Sequence, residues 1–508
     1  MSRSPEWNFA ARLVGRLSDG SDLIDAATGE VVAAADVPGR VASFAAGFAS
    51  LGLKPNNRIL ISCDINPAST LAYLGAMYAG LTVVPINDRG LSTSGEAIFK
   101  LTGARALWSD RASQCEWAKR HGLLHIRGSF DAQVGRSVVP APRHDDDLAA
   151  LMPTSGSTGV PRLVRVSHGN LTANTEAIIR SQHLKSDERA MLILPLSYCF
   201  GASVVHTHLY QGGGVVYDSR FMFPDKVLHA IERYGCTSFA GVPTVYNILL
   251  RRSNIRSISL SSLRRFLQAG GRLAPQHIQE MREIVPQAEF FVMYGQTEAT
   301  SRISCLPPDR LNEKLGSVGL PLDNIQVRIV DENGRDLAAG EIGEIWVHGK
   351  SICGGYFEEP EETARKLRNG WLATGDLASR DKDGFLWISG RKSEFIKMRG
   401  IRVSFAEIET RVAAAPGVSE CAAAAVEHAE AGEAVALYVV AEPGAQDVIA
   451  SIRRNMPPEW VCDSVSLVAE LPRNFHGKLM RSHLPGIAGG QASTDKNASS
   501  VARPGQIA

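Results

Sequence analysis

At 508 residues the chain exceeds what one ordinary hydrophobic core supports, so two or more domains are expected. Hydrophobic residues make up 44% and charged residues 21%, the balance of a globular protein rather than of a disordered chain. The 54 basic and 53 acidic side chains nearly cancel, which gives no reason to expect nucleic acid or an anionic membrane as a partner. Eight cysteines stand singly without a CxxC pair, and a chain this long does not need disulfide staples. They read as reduced thiols of a cytoplasmic protein. The opening residues MSRSPEWNFAARLVGRL place charge within any apolar stretch and lack a cleavage-like site, so a signal peptide is not expected. No run approaches the ~20 apolar residues of a membrane span.

Short apolar runs then alternate with helical patterns. A strand over Arg58–Asp64 precedes a helix over Ala68–Ala79 and a strand over Thr82–Ile86. Further strands are expected at Met191–Leu194, Gly214–Tyr217 and Ser238–Ala240, with helices around Lys226–Tyr234 and Thr244–Arg251. Strands alternating with helices predict βαβ units and a parallel sheet, an α/β fold. Gln326–His348 reads differently: two strand-like runs flank the turn ENGRD, a hairpin of a small β-barrel attached to the α/β core. Near Gly390–Glu394 the apolar FLWISG meets the charged RKSE, which marks a boundary. The expected units are a large N-terminal domain over 1–392 and a small α+β domain over 393–485 with its own strand at Ala434–Ala441. The Gly-, Ala- and Ser-rich stretch 486–508 is expected to be a disordered tail.

The chemistry begins at Thr154-Ser155-Gly156-Ser157-Thr158-Gly159, directly after the apolar run LAALM. Small residues leave backbone N–H groups exposed and three hydroxyls add donors, so the loop can wrap phosphate oxygens, with Arg162 adding charge. The GxxxxGK[ST] spacing of a Walker loop is absent. Taken alone, the same residues are also compatible with a flexible Ser/Gly linker.

Five downstream segments are Gln268-Ala269-Gly270-Gly271, Tyr294-Gly295-Gln296-Thr297-Glu298, Thr374-Gly375-Asp376, Gly390-Arg391 and Pro472-Arg473-Asn474-Phe475-His476-Gly477-Lys478. Together with the loop, and in this order, they resemble the adenylate-forming superfamily of acyl-CoA synthetases, luciferases and nonribosomal peptide synthetase adenylation domains, over roughly residues 10–485. The resemblance implies an AMP-forming acid–thiol ligase that takes ATP, Mg²⁺ and a carboxylic acid to an acyl-adenylate and pyrophosphate, then transfers the acyl group to a thiol. It implies that Thr297 touches phosphate, that Glu298 helps hold Mg²⁺, and that Asp376 accepts from the ribose hydroxyls, where the bland reading is a turn at the strand end. Arg391 would also reach the nucleotide, Gly270 and Gly271 would let adenine and the acyl chain approach backbone, and Lys478 would be catalytic at the α-phosphate. The small domain would rotate between the half-reactions about Ser393, bringing in the segment around Gly400. Two positions depart from the family: Ser393 stands where Asp or Lys is usual, and Arg162 where Lys is commoner.

Leu194–Ser203 resembles the segment that opens the acyl pocket. Amino-acid-activating relatives carry Asp after the Phe, to pair with an ammonium; here Phe200 is followed by Gly201, which disfavours a free α-amino acid and leaves room for an apolar chain or ring. Tyr198 is a gate between nucleotide and acyl sites or a plain core aromatic. Ala240, Gly241, Val242, Gly270 and Met293 are expected to add apolar wall, which suits a mostly apolar carboxylic acid. Lys397, Arg399 and Arg402 could hold the phosphates of coenzyme A or form an ordinary solvated face. The phosphopantetheine arm of an acyl carrier protein is the alternative acceptor. A ligase that stops at the adenylate is another reading, and so is an inactive acyl- or nucleotide-binding protein, which the presence of Lys478, Glu298 and Asp376 opposes. The Ala, Gly, Val and Arg richness is compatible with secondary metabolism.

Overall fold

In the computed structural model, the structure describes residues 7–130, 139–154, 161–392, 394–398, 401–428, 432–442, 444–458, 460–473 and 479–487. Two parallel-rich sheets form the large domain. The six-stranded sheet runs Leu124–Ile126, Ala106–Trp108, Arg58–Ser62, Thr82–Ile86, Leu148–Pro153, Leu163–Ser167. All its neighbours are parallel except the last pair, a hairpin. The nine-stranded sheet is parallel from Leu23–Asp25 through Gly214–Tyr217, Arg189–Leu192, Ser238–Gly241 and Arg265–Gln268 to Glu289–Tyr294, with short antiparallel strands at both ends. Parallel neighbours need crossover connections, which the intervening helices supply.

Local chemistry explains the element ends. The helix Pro67–Tyr78 starts where Asn66 accepts from the Ser69 N–H and Pro67 occupies the first turn. The strand expected at Met191–Leu194 is Arg189–Leu192, because its ladder to Gly214–Tyr217 begins at Arg189 and the chain turns away before Pro195. Cys199–Tyr210 is buried on every side, as a helix with no polar face must be. It lies inside the continuous core that joins both sheets.

The expected hairpin is present: Ile325–Val330 pairs antiparallel with Gly343–Gly349. Trp371–Arg380 pairs next, flanked by Leu367–Arg368 and Leu386–Arg391. Among the described residues no pairing closes this five-stranded sheet into a ring, so it is an open ladder rather than the small barrel expected. The large core ends at Leu386, and a second core begins at Ile396. This separate C-terminal domain holds strands Phe395–Met398, Ile401–Ser404, Val418–His428, Gly432–Ala441 and Cys462–Leu467 in one sheet, with helices Phe405–Ala413 and Val448–Asn455. The expected tail is described only as far as the short helix Leu484–Ile487; 488–508 lie outside the described residues.

Candidate active site

Asp376 sits opposite Arg391 on adjacent antiparallel strands. Arg391 Nε lies 3.3 Å from Oδ1 of Asp376, and the Tyr294 hydroxyl donates to Oδ2 at 2.6 Å. The turn at this strand is made by its neighbours. Thr374 Oγ1 accepts the Asp376 N–H at 3.1 Å and donates to the Ile345 carbonyl at 2.8 Å, while Gly375 takes a φ of 81° and donates its N–H to Glu344 Oε1 at 3.1 Å. Thr374 therefore does the turn's work, and the Asp376 carboxylate is left to Tyr294 and Arg391. The Asp376 carboxylate raises the pKa of Arg391, and burial followed by the same carboxylate pushes the Tyr294 phenol well up. Arg391 is also within electrostatic reach of Glu298, which brings the two motifs near one another.

Glu298 lies in the 3-10 turn Thr297–Ala299 that follows the strand Glu289–Tyr294. Its backbone carbonyl accepts from Cys353 N at 2.9 Å, and its Oε1 accepts from the Tyr356 hydroxyl at 2.7 Å. Thr297 Oγ1 points to Cys199 Sγ at 3.5 Å. A Cβ on Gly295 would collide with the Ser301 carbonyl, so glycine is required where the chain doubles back. Among the described residues, no cluster of three His, Cys, Asp or Glu could hold a metal ion. The second oxygen of Glu298 fits instead a cation that takes its other ligands from phosphates and water.

Sequence reasoning missed three supports here: Tyr356, Glu344 and Lys366. Lys366 ends the helix Pro360–Lys366, and its Nζ donates to the carbonyls of Ala373 and Thr374 at 3.3 and 3.4 Å. Burial lowers its pKa and Glu298 opposes that shift. Nothing in their local sequence distinguishes these residues: Tyr356 and Glu344 act through partners distant in the chain, and the contacts of Lys366 depend on how its helix packs on the next strand.

The expected phosphate loop lies in the chain between the paired strands Leu148–Pro153 and Leu163–Ser167, beyond whose ends the Thr154 N–H donates to the Arg162 carbonyl at 2.8 Å. Ser155, Gly156, Ser157, Thr158 and Gly159 lie outside the described residues, as do Ser393, Arg399, Gly400 and Lys478. The side chains of Lys397 and Arg402 lie outside them too. Arg162 differs from expectation. Its guanidinium is matched by Glu359 at 2.9 Å and Glu362 at 3.1 Å, so it anchors the loop's base to the helix Pro360–Lys366 and adds little net positive charge.

At the acyl end, Gly270 has a φ of 85°, and a Cβ there would fall on the Tyr198 hydroxyl and meet Val242 Cγ1 at 3.0 Å. Tyr198, Val242 and Gly270 therefore converge, and burial raises the pKa of the Tyr198 phenol. Gly201 needs a correction. A Cβ at this position would strike the carbonyl oxygens of Pro195 and Leu194, so the missing side chain accommodates backbone and does not vacate pocket. Gly241 likewise serves the packing of Val245 and Tyr246. The Met293 sulfur sits 3.0 Å from Gln182 Nε2 on the helix His168–Gln182. Phe200 and Ala240 are buried. An unexpected charge joins them: Arg302 is 2% exposed, with its guanidinium 4.8 Å from the centre of the Phe200 ring.

Comparison with known proteins gives consistent matches. The family described as AMP-binding enzyme matches residues 24–357, and its C-terminal domain matches residues 407–478. The chain is 32% identical over 470 residues to a feruloyl-CoA synthase of Amycolatopsis sp, covering 90% of this chain and 94% of that protein. It is 29% identical over 518 residues to a long-chain-fatty-acid–CoA ligase of Salmonella typhimurium, covering 91% of each. The crystal structure of ATP-bound MatB from Rhodopseudomonas palustris matches with a TM-score of 0.86 at 27% identity, covering 94% of this chain and 98% of that one.

Proposed function

We propose that this chain, which belongs to the AMP-binding enzyme family, activates a non-amino, mostly apolar carboxylic acid with ATP and passes the acyl group to coenzyme A. The observation that carries this reading is the convergence of Tyr294, Asp376, Arg391 and Glu298 from three separate segments, with Tyr356 linking Glu298 to the strand Leu163–Ser167. The relatives named for feruloyl and long-chain fatty acids support an apolar acid.

In the first half-reaction a carboxylate oxygen of the substrate attacks the α-phosphorus of ATP. The bond from that phosphorus to the bridging oxygen breaks, and pyrophosphate leaves with the electron pair. In the second, a thiolate attacks the acyl carbonyl and AMP leaves. This chain's part is to position reactants and stabilise charge. Asp376 accepts from the ribose hydroxyls, in an orientation fixed by Tyr294 and Arg391. Glu298, steadied by Tyr356, would hold Mg²⁺, which offsets phosphate charge when bound. Lys478 supplies positive charge where the carboxylate meets the α-phosphate. Tyr198, Val242 and Gly270 form the passage between nucleotide and acyl ends.

The proposed division falls at 392/393 with Ser393 as the hinge, a reading supported by the short span between the strand ending at Arg391 and the strand starting at Phe395. No helix among the described residues is long and apolar enough to cross a membrane. A cytoplasmic setting suits the free cysteines.

The deciding experiment is pyrophosphate exchange over a library of carboxylic acids, with mass spectrometry of the adenylate. Thioester formation is then measured with coenzyme A and with a phosphopantetheinylated carrier protein. Preference for an α-amino acid would overturn the substrate class, and transfer to the carrier alone would overturn coenzyme A as acceptor.

A further inference from the structure

Three arginines in the described residues are almost completely enclosed: Arg143 at 1%, Arg302 at 2% and Arg265 at 7% exposure. The fold supplies two of them with carboxylates. Arg143 lies 3.6 Å from Asp147 and also bonds Asn56, and Arg265 is paired with Glu188. Arg302 has no carboxylate within salt-bridge distance among the described residues. Its Nε is buried without a partner, and one face of the guanidinium rests over Phe200.

The titratable groups within electrostatic reach of it do not supply a negative charge. Cys199, Cys305 and Tyr198 are within electrostatic reach of the guanidinium, and burial raises the pKa of all three, so they are neutral near pH 7. Arginine does not deprotonate in response to burial. A lone enclosed cation is strongly unfavourable unless an anion joins it. Its placement is also fixed: Asn174 Oδ1 accepts the Arg302 N–H at 3.3 Å, and Asn174 Nδ2 donates to the Arg302 carbonyl at 3.0 Å. That clamp sets where the side chain leaves the backbone, beside the segment Tyr198–Phe200 that opens the acyl pocket.

We propose that Arg302 is a specificity-determining residue that pairs with a second, anionic group on the substrate. The preferred acids would be apolar in the middle and carry a carboxylate at the end remote from the reacting one. This rests on the adenylation reading above and sharpens its substrate class. A carboxylate suits the site because the guanidinium is planar and its edge offers paired donors, while Phe200 covers a face. The same charge repels an ammonium, which gives a reason for excluding amino acids that does not depend on Gly201.

The test uses the full chain in pyrophosphate exchange with matched acids: octanoic acid, octanedioic acid and its monomethyl ester, and cinnamic acid, 4-carboxycinnamic acid and its 4-methyl ester. The wild type is expected to favour the dianionic member of a series over its ester by at least about a hundredfold in kcat/KM, since a site built to pair a polar group can discriminate by up to about 10⁴–10⁵. R302M should bring that ratio to about one while retaining turnover of the neutral acids, and R302K should retain part of the preference. A wild type that prefers the neutral acids overturns the proposal without any variant. A dianion preference that survives in R302M overturns it as well. Failure of every acid, charged and neutral alike, overturns the adenylation reading and this proposal with it.

Discussion

The Tyr294 hydroxyl donates to Asp376 Oδ2 at 2.6 Å, joining a residue at the end of a parallel strand to one on the antiparallel sheet 82 residues later. A hydrogen bond to an ionised partner contributes about 1.5–3 kcal/mol. Tyr294→Phe is therefore expected to raise the KM for ATP by roughly ten- to a hundredfold with a smaller change in kcat. Asp376→Ala should be worse, since it also frees Arg391. An unchanged KM in Y294F would show that Arg391 alone orients the carboxylate.

Tyr356 supports Glu298 from behind, through the bond to Oε1 at 2.7 Å. Loss of such a support typically weakens metal binding by about 10–100-fold. In Tyr356→Phe the Mg²⁺ concentration for half-maximal exchange should rise by that order, and added Mg²⁺ should restore the rate. Glu298→Gln should show the larger shift. Rates in Y356F that ignore Mg²⁺ would detach this pair from the metal.

The proposed mechanism puts Lys478 in the first half-reaction. Lys478→Ala should lower adenylate formation by on the order of 10²–10³, as removal of one charge-stabilising donor does. Thioester formation from supplied acyl-AMP should fall far less. Equal losses in both steps would contradict domain alternation.

Stability should respond to acid through two enclosed histidines. Burial lowers the pKa of both His168 and His206 to about 3. Unfolded histidines take up a proton near pH 6.5, so below that pH the unfolded chain binds more protons than the folded one. Stability therefore falls as pH drops from about 6.5 towards 3, by about 1.4 kcal/mol per pH unit for each group. His206 Nε2 has no partner, so His206→Leu should remove one share of that slope in urea titrations at pH 6, 5 and 4. An identical slope would refute its part.

The pair Glu188–Arg265 is enclosed at 2% and 7% exposure. Breaking it from one side leaves the buried guanidinium only the half-exposed Glu289 carboxylate, 3.8 Å from its Nε, at a cost of up to about 3–5 kcal/mol. Glu188→Gln should lower the urea midpoint accordingly while leaving the KM for ATP unchanged in the folded fraction.

The sequence made the fold class legible because periodicity records which face of each element is buried, and the hairpin at Ile325–Gly349 shows how well that works. It also singled out Tyr294, Glu298, Asp376 and Arg391, which the structure brings together, because their motifs are local and ordered. Other features depend on who stands opposite. Arg162 reads as free charge until Glu359 and Glu362 are seen beside it, and Gly201 reads as open space until the carbonyls of Leu194 and Pro195 fill it. Tyr356, Lys366 and Arg302 carry no local signature, because burial and missing partners are properties of the assembled chain.

Asp376 and Arg391 face each other across one ladder, and the chain leaves the large domain just beyond Arg391. Under the proposed mechanism a ribose held at Asp376 would be gripped beside the strand that leads into the small domain. Departure of AMP would then loosen that strand, and release of product would also free the small domain to turn.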